Sequence, residues 1–352
     1  AFLIEDGGVV ETATKTIPIL LQNMNITFYP EGGDLVEGLA GRVYVQVYRP
    51  DGKPADISGE IVQLNISKKG PLYSPLAKLE TAHEGRGVFE FTPKKDEQYA
   101  LRLIQPAGID KLFPLPKAVK SGAVIKADKE TYAFKDSINL SINSTKDSNA
   151  AGVSLYKREQ LISHTDIKTG TAKVKLDAKD FEGVLIVTVW DKAGKPLAER
   201  LIFREPKFRL NIKLEVETAT KTPSPGDKVR INITTADENG QPVAGVVGVV
   251  VTDDSVLEMI ESRDKAPKLP TMFYLENEVQ ELGDAEVYFD SSNPDAATDI
   301  DRLLGTQGRR RFALVTFTDA LEKYPDELRR AFAGNDIEPQ MTIPRTMLKP
   351  MG

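Results

Sequence analysis

The sequence contains no cysteine. That absence excludes disulfides, thiolate metal sites, a cysteine nucleophile and any cysteine-derived thioester from these residues. Secreted eukaryotic proteins of this size ordinarily carry disulfides, so a cysteine-free chain fits a bacterial envelope or cytosol better. Histidine is nearly as scarce. His83 and His164 sit in the contexts AHEGRG and ISHTD, with no second ligand at metal spacing, and read as surface turn residues. No apolar run approaches the roughly 20 residues that a membrane-spanning helix needs. The net charge is −6, and Arg309-Arg310-Arg311 is the one clustered basic run. Neither nucleic acid nor direct membrane insertion is therefore expected of this chain.

Catalytic constellations are missing as well. Ser255 follows Asp253-Asp254 but has no base within reach of its sequence context, and a helix N-cap explains it better. The acidic pairs Asp253-Asp254 and Asp299/Asp301 fall short of the roughly six oxygens that a calcium ion takes. Glu31-Gly32-Gly33-Asp34 is followed by neither a lysine nor a helical pattern, so it reads as a tight turn and not a phosphate cradle. No catalytic residue, cofactor site or metal site is expected, and the chain is expected not to be an enzyme.

What is present is alternation. RVYVQVY (42–48), GVFEFT (87–92), SINLSI (137–142), GVLIVTVW (183–190) and KVRINI (228–233) place apolar residues at every second position. A period of two over five to eight residues marks half-buried antiparallel strands. Turn signals lie between them, and three share a formula: PDGKPAD (50–56), KAGKPLAE (192–199) and ENGQPVAG (238–245). Each sets a glycine where φ is positive, then Lys or Gln, then Pro. Trp190 is the only tryptophan; with Val184, Ile186 and Thr188 it is expected to point into a sandwich interior.

An offset of 91 residues lays Asp136–Ile142 over Asp227–Ile233, with Thr131 over Thr222. That spacing suits one β-sandwich module of seven strands. KLFPLPK (111–117) and Arg204-Glu205-Pro206 are the natural junctions. The expected organisation is an end strand of a preceding domain (1–20), a sandwich over 21–116, a second over 117–207, and the start of a third over 208–257. A helical or extended insertion follows over 258–352. The chain itself is expected to be a piece of a longer protein, because TIPILL (16–21) reads as a strand already under way.

After Val251 the pattern changes. Asp254-Ser255 can cap a short helix; Pro270 can open a helix over Thr271–Leu282 with Phe273, Leu275, Val279 and Leu282 on one side; Asn293-Pro294 can start another ahead of Ile300, Leu303 and Leu304. Pro325 precedes a further candidate over Asp326–Ala333, and residues 335–352 hold three prolines without periodicity. From Gly308 onward Arg309, Arg310, Arg311, Lys323, Arg329, Arg330 and Arg345 alternate with Phe312, Phe317, Tyr324 and Phe332. These side chains meet the primary preferences of many proteases, whereas the plainer reading is a solvated helical linker.

Two long stretches, FYPEGGDLVEGLAGRVYVQVYRPDGKPADISGEI (28–61) and GRGVFEFTPKKDEQYALRL (85–103), resemble a macroglobulin domain of bacterial alpha-2-macroglobulin-like proteins. GKPLAERLIF (194–203) resembles the closing strands of the next such domain. LEVETATKTPSPGDKVRINITTADENGQPVAGVVGVVVTDDSVL (214–257) resembles the opening of a further one. IDRLLGTQGRRRF (300–312) is similar to a helical element of the bacterial branch, with Arg310 where a tryptophan is usual.

The resemblance implies a mainly β fold of tandem seven-stranded antiparallel β-sandwich domains, immunoglobulin- or fibronectin III-like, with a C-terminal helical extension. In that family the domain that ends a strand with a run like VVVTDDSVL is interrupted by an insertion carrying the bait region, which target proteases cut. Residues 258–352 would belong to such an insertion, with Arg309, Arg310, Arg311, Lys323, Arg329, Arg330 and Arg345 in a protease-accessible segment. The implied role is a non-catalytic scaffold of a protease-trapping endopeptidase inhibitor in an extracytoplasmic setting, with proteases and the other domains of the parent protein as partners. The alternative is a cell-surface adhesion or spacer array of immunoglobulin-like modules. The family's thioester needs a cysteine, so covalent capture is not a property of these residues.

Overall fold

Gly41–Tyr48 shows how the alternation is used: Val43, Val45 and Val47 enter the core while Arg42 and Tyr48 remain partly exposed. A computed structural model describes residues 2–4, 10–12, 23–67, 70–217, 228–251, 267–290 and 292–308. The chain divides into two units, Ala1–Lys120 and Ser121–Gly352.

In the first unit β1 (Phe2–Ile4) and β2 (Val10–Thr12) form a small antiparallel pair. The main body comprises β3 (Asn25–Pro30), β4 (Gly41–Tyr48), β5 (Ser58–Ser67), β6 (Gly70–Ala82), β7 (Arg86–Phe91), β8 (Tyr99–Gln105) and β9 (Leu112–Pro114). These run antiparallel in the order β3-β4-β7-β6-β5-β8-β9. β6 joins the two halves: it pairs with β5 along most of its length and with β7 only at Thr81 and Ala82. Val43, Val45, Val47, Phe89 and Phe91 from one half meet Ile61, Leu101, Leu103 and Phe113 from the other in one core. Glu31, at the glycine turn after β3, is buried; Arg42 clamps its carboxylate through Nε and Nη2 at 3.0 and 2.7 Å, which offsets the cost of removing it from water.

The second unit contains a two-layer sandwich. One sheet is β10 (Ala123–Ala127), β12 (Ile138–Ser144) and β15 (Thr171–Leu176) in the order β10-β12-β15. The other runs β11-β17-β16-β13-β14, where β11 is Thr131–Tyr132, β13 is Ala150–Lys157, β14 is Gln160–Asp166, β16 is Gly183–Asp191 and β17 is Pro196–Arg204. β11 pairs parallel to β17, and every other pair is antiparallel. Ile138, Leu140 and Ile142 from one sheet pack on Val153, Leu155, Leu185, Val187 and Val189 from the other. Both units are thus built from sheet layers closed on an apolar core, a mainly β chain with a helical segment near its end.

The shared turn formula has a single backbone solution. Arg49, Asp191 and Asp237 each bond through their amide to the carbonyl four residues on, and Gly52, Gly194 and Gly240 donate back three residues. Those glycines sit at φ of 82°, 79° and 79°. This is a type I turn closed by a left-handed residue, the usual three-residue hairpin connection. Where the first residue is Asp, its carboxylate adds more: Asp191 Oδ1 accepts from the Ala193 and Lys195 amides at 2.8 Å each, and Asp237 Oδ1 from Asn239 and Gln241 at 2.9 and 2.8 Å.

After the sandwich come β18 (Asn211–Glu217) and β19 (Arg230–Ala236), paired antiparallel. β19 corresponds to β12 across the internal repeat, but where Ile138, Leu140 and Ile142 are sealed, Val229 is exposed and Ile231 and Ile233 are half-buried. Ile212, Leu214 and Val216 are exposed on the alternation of β18, as are Phe208 and Leu210 just ahead of it. Among the described residues no second sheet covers this hairpin.

Two helical pieces follow. α1 spans Leu269–Thr271, with Pro270 early in the turn, and widens into a π-type turn over Met272–Glu276. The helix expected over Thr271–Leu282 is therefore shorter and starts earlier. Val279 leaves it to bridge Gly308, a tertiary pairing that overrides a weak helical period. α2 spans Ala296–Gln307 and buries Ile300, Leu303 and Leu304, the side anticipated from sequence. Asn293 prepares its start: its Oδ1 accepts from the Asp295 amide at 3.0 Å, and its Nδ2 donates to Asp299 Oδ2 at 3.1 Å. The helices anticipated after Asp254-Ser255 and after Pro325 fall outside the described residues.

Candidate functional site: a helical clasp ahead of the arginine-rich segment

β16 and β17 are apolar on both faces. Leu185, Val187 and Val189 of β16 line the sandwich core, while Val184 and Ile186 belong to a second cluster on the opposite face. On β17, Ala198 and Ile202 face the core, and Leu201 and Phe203 face out. A strand with apolar residues on both sides needs cover on both sides. The outer cover is residues 267–308, here called the clasp. It brings Leu275, Val279, Tyr288, Ile300, Leu303 and Leu304 onto Tyr156, Val184, Ile186, Leu201 and Phe203. Phe203 stands edge-on to Phe289 and Tyr274, with centroids 5.5 and 6.2 Å apart. Full burial of each such side chain contributes about 1.5–3 kcal/mol before ordering costs.

This corrects one sequence expectation. Val184, Ile186, Thr188 and Trp190 do not point into the sandwich interior. They share the outer face, and Trp190 packs against the clasp cluster and edge-on to Tyr156. Two alternations run through β16 at once, and the inner one is Leu185, Val187 and Val189.

Polar contacts fix the clasp's position. Arg200 Nη2 donates to Asp301 Oδ1 at 2.9 Å, with both side chains buried. Tyr274 OH donates to Glu182 Oε1 at 2.7 Å, Arg158 Nε to Glu278 Oε1 at 3.1 Å, and Thr298 Oγ1 to Glu130 Oε2 at 2.8 Å. Burial, and secondarily the bond to Glu182, push the Tyr274 hydroxyl well above the ordinary tyrosine value. Burial pushes the Lys157 ammonium down, against the opposing pull of Glu278; its Nζ donates to the Val184 carbonyl at 3.0 Å.

The exit of the clasp is tightly bound. The Gln280 amide donates to the Gln307 carbonyl at 2.8 Å, and Gly308 bridges Val279. A Cβ at Gly308 would lie 2.4 Å from the Leu304 carbonyl oxygen and 2.8 Å from Leu201 Cδ2, so only glycine fits where the backbone closes on the sheet. Arg309, Arg310, Arg311, Lys323, Arg329, Arg330 and Arg345, the residues singled out from sequence as protease-accessible, lie outside the described residues, as do Asp253-Asp254 and Ser255. Gly308 is the last described residue before them. Asp299 and Asp301 are buried on α2 and turn to different partners, Asn293 and Arg200. Among the described residues no cluster of His, Asp and Glu could hold a metal ion.

His83 lies in a tight helical turn over His83–Gly85. His164 is not a turn residue: it lies within β14, directly opposite Ser154 of β13. Ser154 Oγ is 2.7 Å from His164 Nδ1, His164 Nε2 is 3.3 Å from Asp166 Oδ1, and Trp190 Nε1 donates to Ser154 Oγ at 2.9 Å. The carboxylate only accepts, which sets the histidine proton on Nε2 and leaves Nδ1 to accept from the serine. The trio has the residue types of a hydrolytic triad without its access. Ser154 is 1% exposed, and its oxygen already accepts from Trp190 and donates to His164. The ring occupies the space that Gly152 leaves open, 2.5 Å from where a Cβ would be, so the cluster packs the sheet surface. Sequence reading missed it because the pairing depends on strand register; the clasp surface did have a signal, the doubly apolar strands β16 and β17.

Comparison with known proteins finds one matching domain family over part of the chain. Residues 123–259, which hold the second sandwich and the hairpin after it, match the alpha-2-macroglobulin bait region domain. Among solved structures the chain is similar to native Escherichia coli alpha-2-macroglobulin, at 16% identity over 68% of this chain and 19% of that one, with a TM-score of 0.24. It is similar to the same protein activated by porcine elastase, at 13% identity over 61% and 23%, TM-score 0.19. It is also similar to the Escherichia coli adhesin FdeC, at 13% identity over 63% and 76%, TM-score 0.22. The chain spans roughly a fifth of the length of the alpha-2-macroglobulin chains, 19% and 23%. No curated protein matches the sequence. The similarity to the alpha-2-macroglobulin bait region domain is thus confined to residues 123–259, ahead of the clasp.

Proposed function

We propose that this chain is a non-catalytic scaffold of a bacterial, extracytoplasmic protein that traps proteases, and that the segment beginning at Arg309 is what those proteases cut. The bait region domain match over residues 123–259 carries the reading. The clasp supports it, because it lies just downstream of the matched residues and delivers the chain at Gly308 directly into the arginine-rich stretch. Packed sandwiches resist proteolysis, since a protease cleft takes an extended chain and the core must open to supply one. A segment meant to be cut is best placed beside, and outside, such packing. The partners are proteases and the remaining domains of the parent protein.

Brief exposure of the full chain to trypsin and, separately, to elastase tests this. First cuts within 309–352 are expected. Resistance there, with first cuts between residues 204 and 210 or at 111–120, would favour a spacer or adhesion array instead.

A further inference from the structure

The outer edge of β18 carries a sequence that is complementary to itself. We infer that this edge pairs antiparallel with β18 of a second copy of the chain, about a two-fold axis through Leu214. The two hairpins then form one four-stranded sheet, whether or not proteases cut the chain elsewhere.

The backbone is directed for it. The Val243 amide donates to the Thr235 carbonyl at 3.2 Å, so Thr235 turns its peptide groups away from β18. Ile212 lies opposite Thr235, and in an antiparallel ladder the two members of such a pair face apart. Ile212, and at the strand's period of two Leu214 and Val216, therefore aim their N–H and C=O groups out of the hairpin. Among the described residues no strand other than β19 pairs with β18.

Edges elsewhere are blunted, the usual protection against unwanted pairing. β14 carries a bulge where it meets β13, and β3 closes on Pro30. β9 and β11 run to three and two residues, and β15 sets Lys173 and Lys175 on its length. β18 runs seven residues in unbroken register without a proline. Its outer side is also a true edge of the module. β10, which pairs with β12 as β18 pairs with β19, is the outer strand of its own sheet.

Charge selects the partner and the register. β18 reads NIKLEVE. Antiparallel pairing centred on Leu214 sets Lys213 of each copy opposite Glu215 of the other, Ile212 opposite Val216, and Asn211 opposite Glu217. Centring on Lys213 or on Glu215 would set like charges face to face, which an antiparallel pair penalises. Ile212, Leu214 and Val216 are 52%, 55% and 56% exposed in the single chain, and pairing gives each an apolar neighbour across the new ladder. The contact uses the same patch on both copies, so it closes at two chains and does not propagate.

Sedimentation equilibrium of the full chain over a range of concentrations tests this. A rise from the mass of one chain toward that of two is expected. Lys213→Glu and Glu215→Lys should each weaken self-association by at least about fivefold, because two opposite-charge pairs become two like-charge pairs. An equimolar mixture of the two variants should restore it, since position 213 of each then meets its opposite at position 215 of the other. Loss of the 2.6 Å contact between Lys213 and Glu215 within one strand would not be restored by mixing. Leu214→Pro, which removes an N–H on the free edge and none from the ladder with β19, should leave single chains. A parent chain that stays single at every concentration overturns the inference. So does a dimer that survives Leu214→Pro, or that the charge variants leave unweakened, or that mixing fails to restore, because the contact then lies on another surface or in another register.

Discussion

Arg200 Nη2 meets Asp301 Oδ1 at 2.9 Å with side chains 3% and 6% exposed, joining β17 of the second sandwich to α2 of the clasp across 101 residues of sequence. Charges this well buried depend on opposite charge and hydrogen bonds around them. Asp301→Ala removes a carboxylate that faces the buried guanidinium and is expected to lower the stability of the second unit, by up to about 3–5 kcal/mol. Replacing both partners, as Arg200→Met with Asp301→Leu, should recover most of the loss. Urea titration followed by Trp190 fluorescence measures both.

The apolar cluster predicts a contrast between two clasp residues. Leu303 is 0% exposed, and Leu303→Ala is expected to cost about 2–5 kcal/mol through lost contact and a residual cavity. Phe273, anticipated on the buried side, is 71% exposed, so Phe273→Ala should stay within about 0.5 kcal/mol of the parent. Equal effects would mean that the clasp does not dock in this way.

At alkaline pH the clasp should weaken. The Tyr274 hydroxyl, held above its ordinary value of 10.0 by burial and Glu182, stays protonated in the fold where the unfolded chain has begun to ionise. Its contribution is therefore complete below about pH 10 and declines as pH rises beyond that. Lys157, depressed by burial, acts with the opposite slope below its ordinary 10.5, so the informative comparison is parent against Tyr274→Phe at matched pH. The variant should show a shallower alkaline loss in melting experiments between pH 9 and 11.

At acid pH the sensitive element is the turn between β19 and Pro242. Backbone amides of Gln241 and Asn239 hold the Asp237 carboxyl below its ordinary 3.8. A depressed carboxyl stabilises the fold above the unfolded value, and that support is lost as pH falls through the folded one. Amide exchange at Asn239 and Gln241 should rise below about pH 3.8, and Asp237→Asn should flatten that dependence.

How much of this was legible beforehand differs by element. The sandwiches were, because Ile138, Leu140 and Ile142 alternate cleanly with polar neighbours and one face is enough to specify a strand. The three glycine turns were, because positive φ after a type I turn leaves little choice of residue. The core of α2 was, through Ile300, Leu303 and Leu304. The docking of the clasp was not: Trp190 and Ile186 carry no mark saying which of two apolar faces is the inner one, and register alone brings Ser154 to His164. Arg200 and Asp301 could not be paired from sequence, because nothing local links residues so far apart. The residues expected to be cut, from Arg309 to Arg345, were chosen by chemistry alone, and what the fold adds is the boundary at Gly308 from which they start.

The most direct test of the protease-trapping reading is the mass of the first products when the full chain meets a small amount of elastase for a short time. A large product retaining residues 1–308 intact, with every early cut in 309–352, is the predicted result. Early cuts inside 121–217 or within the clasp, or a chain that elastase leaves whole, would contradict it.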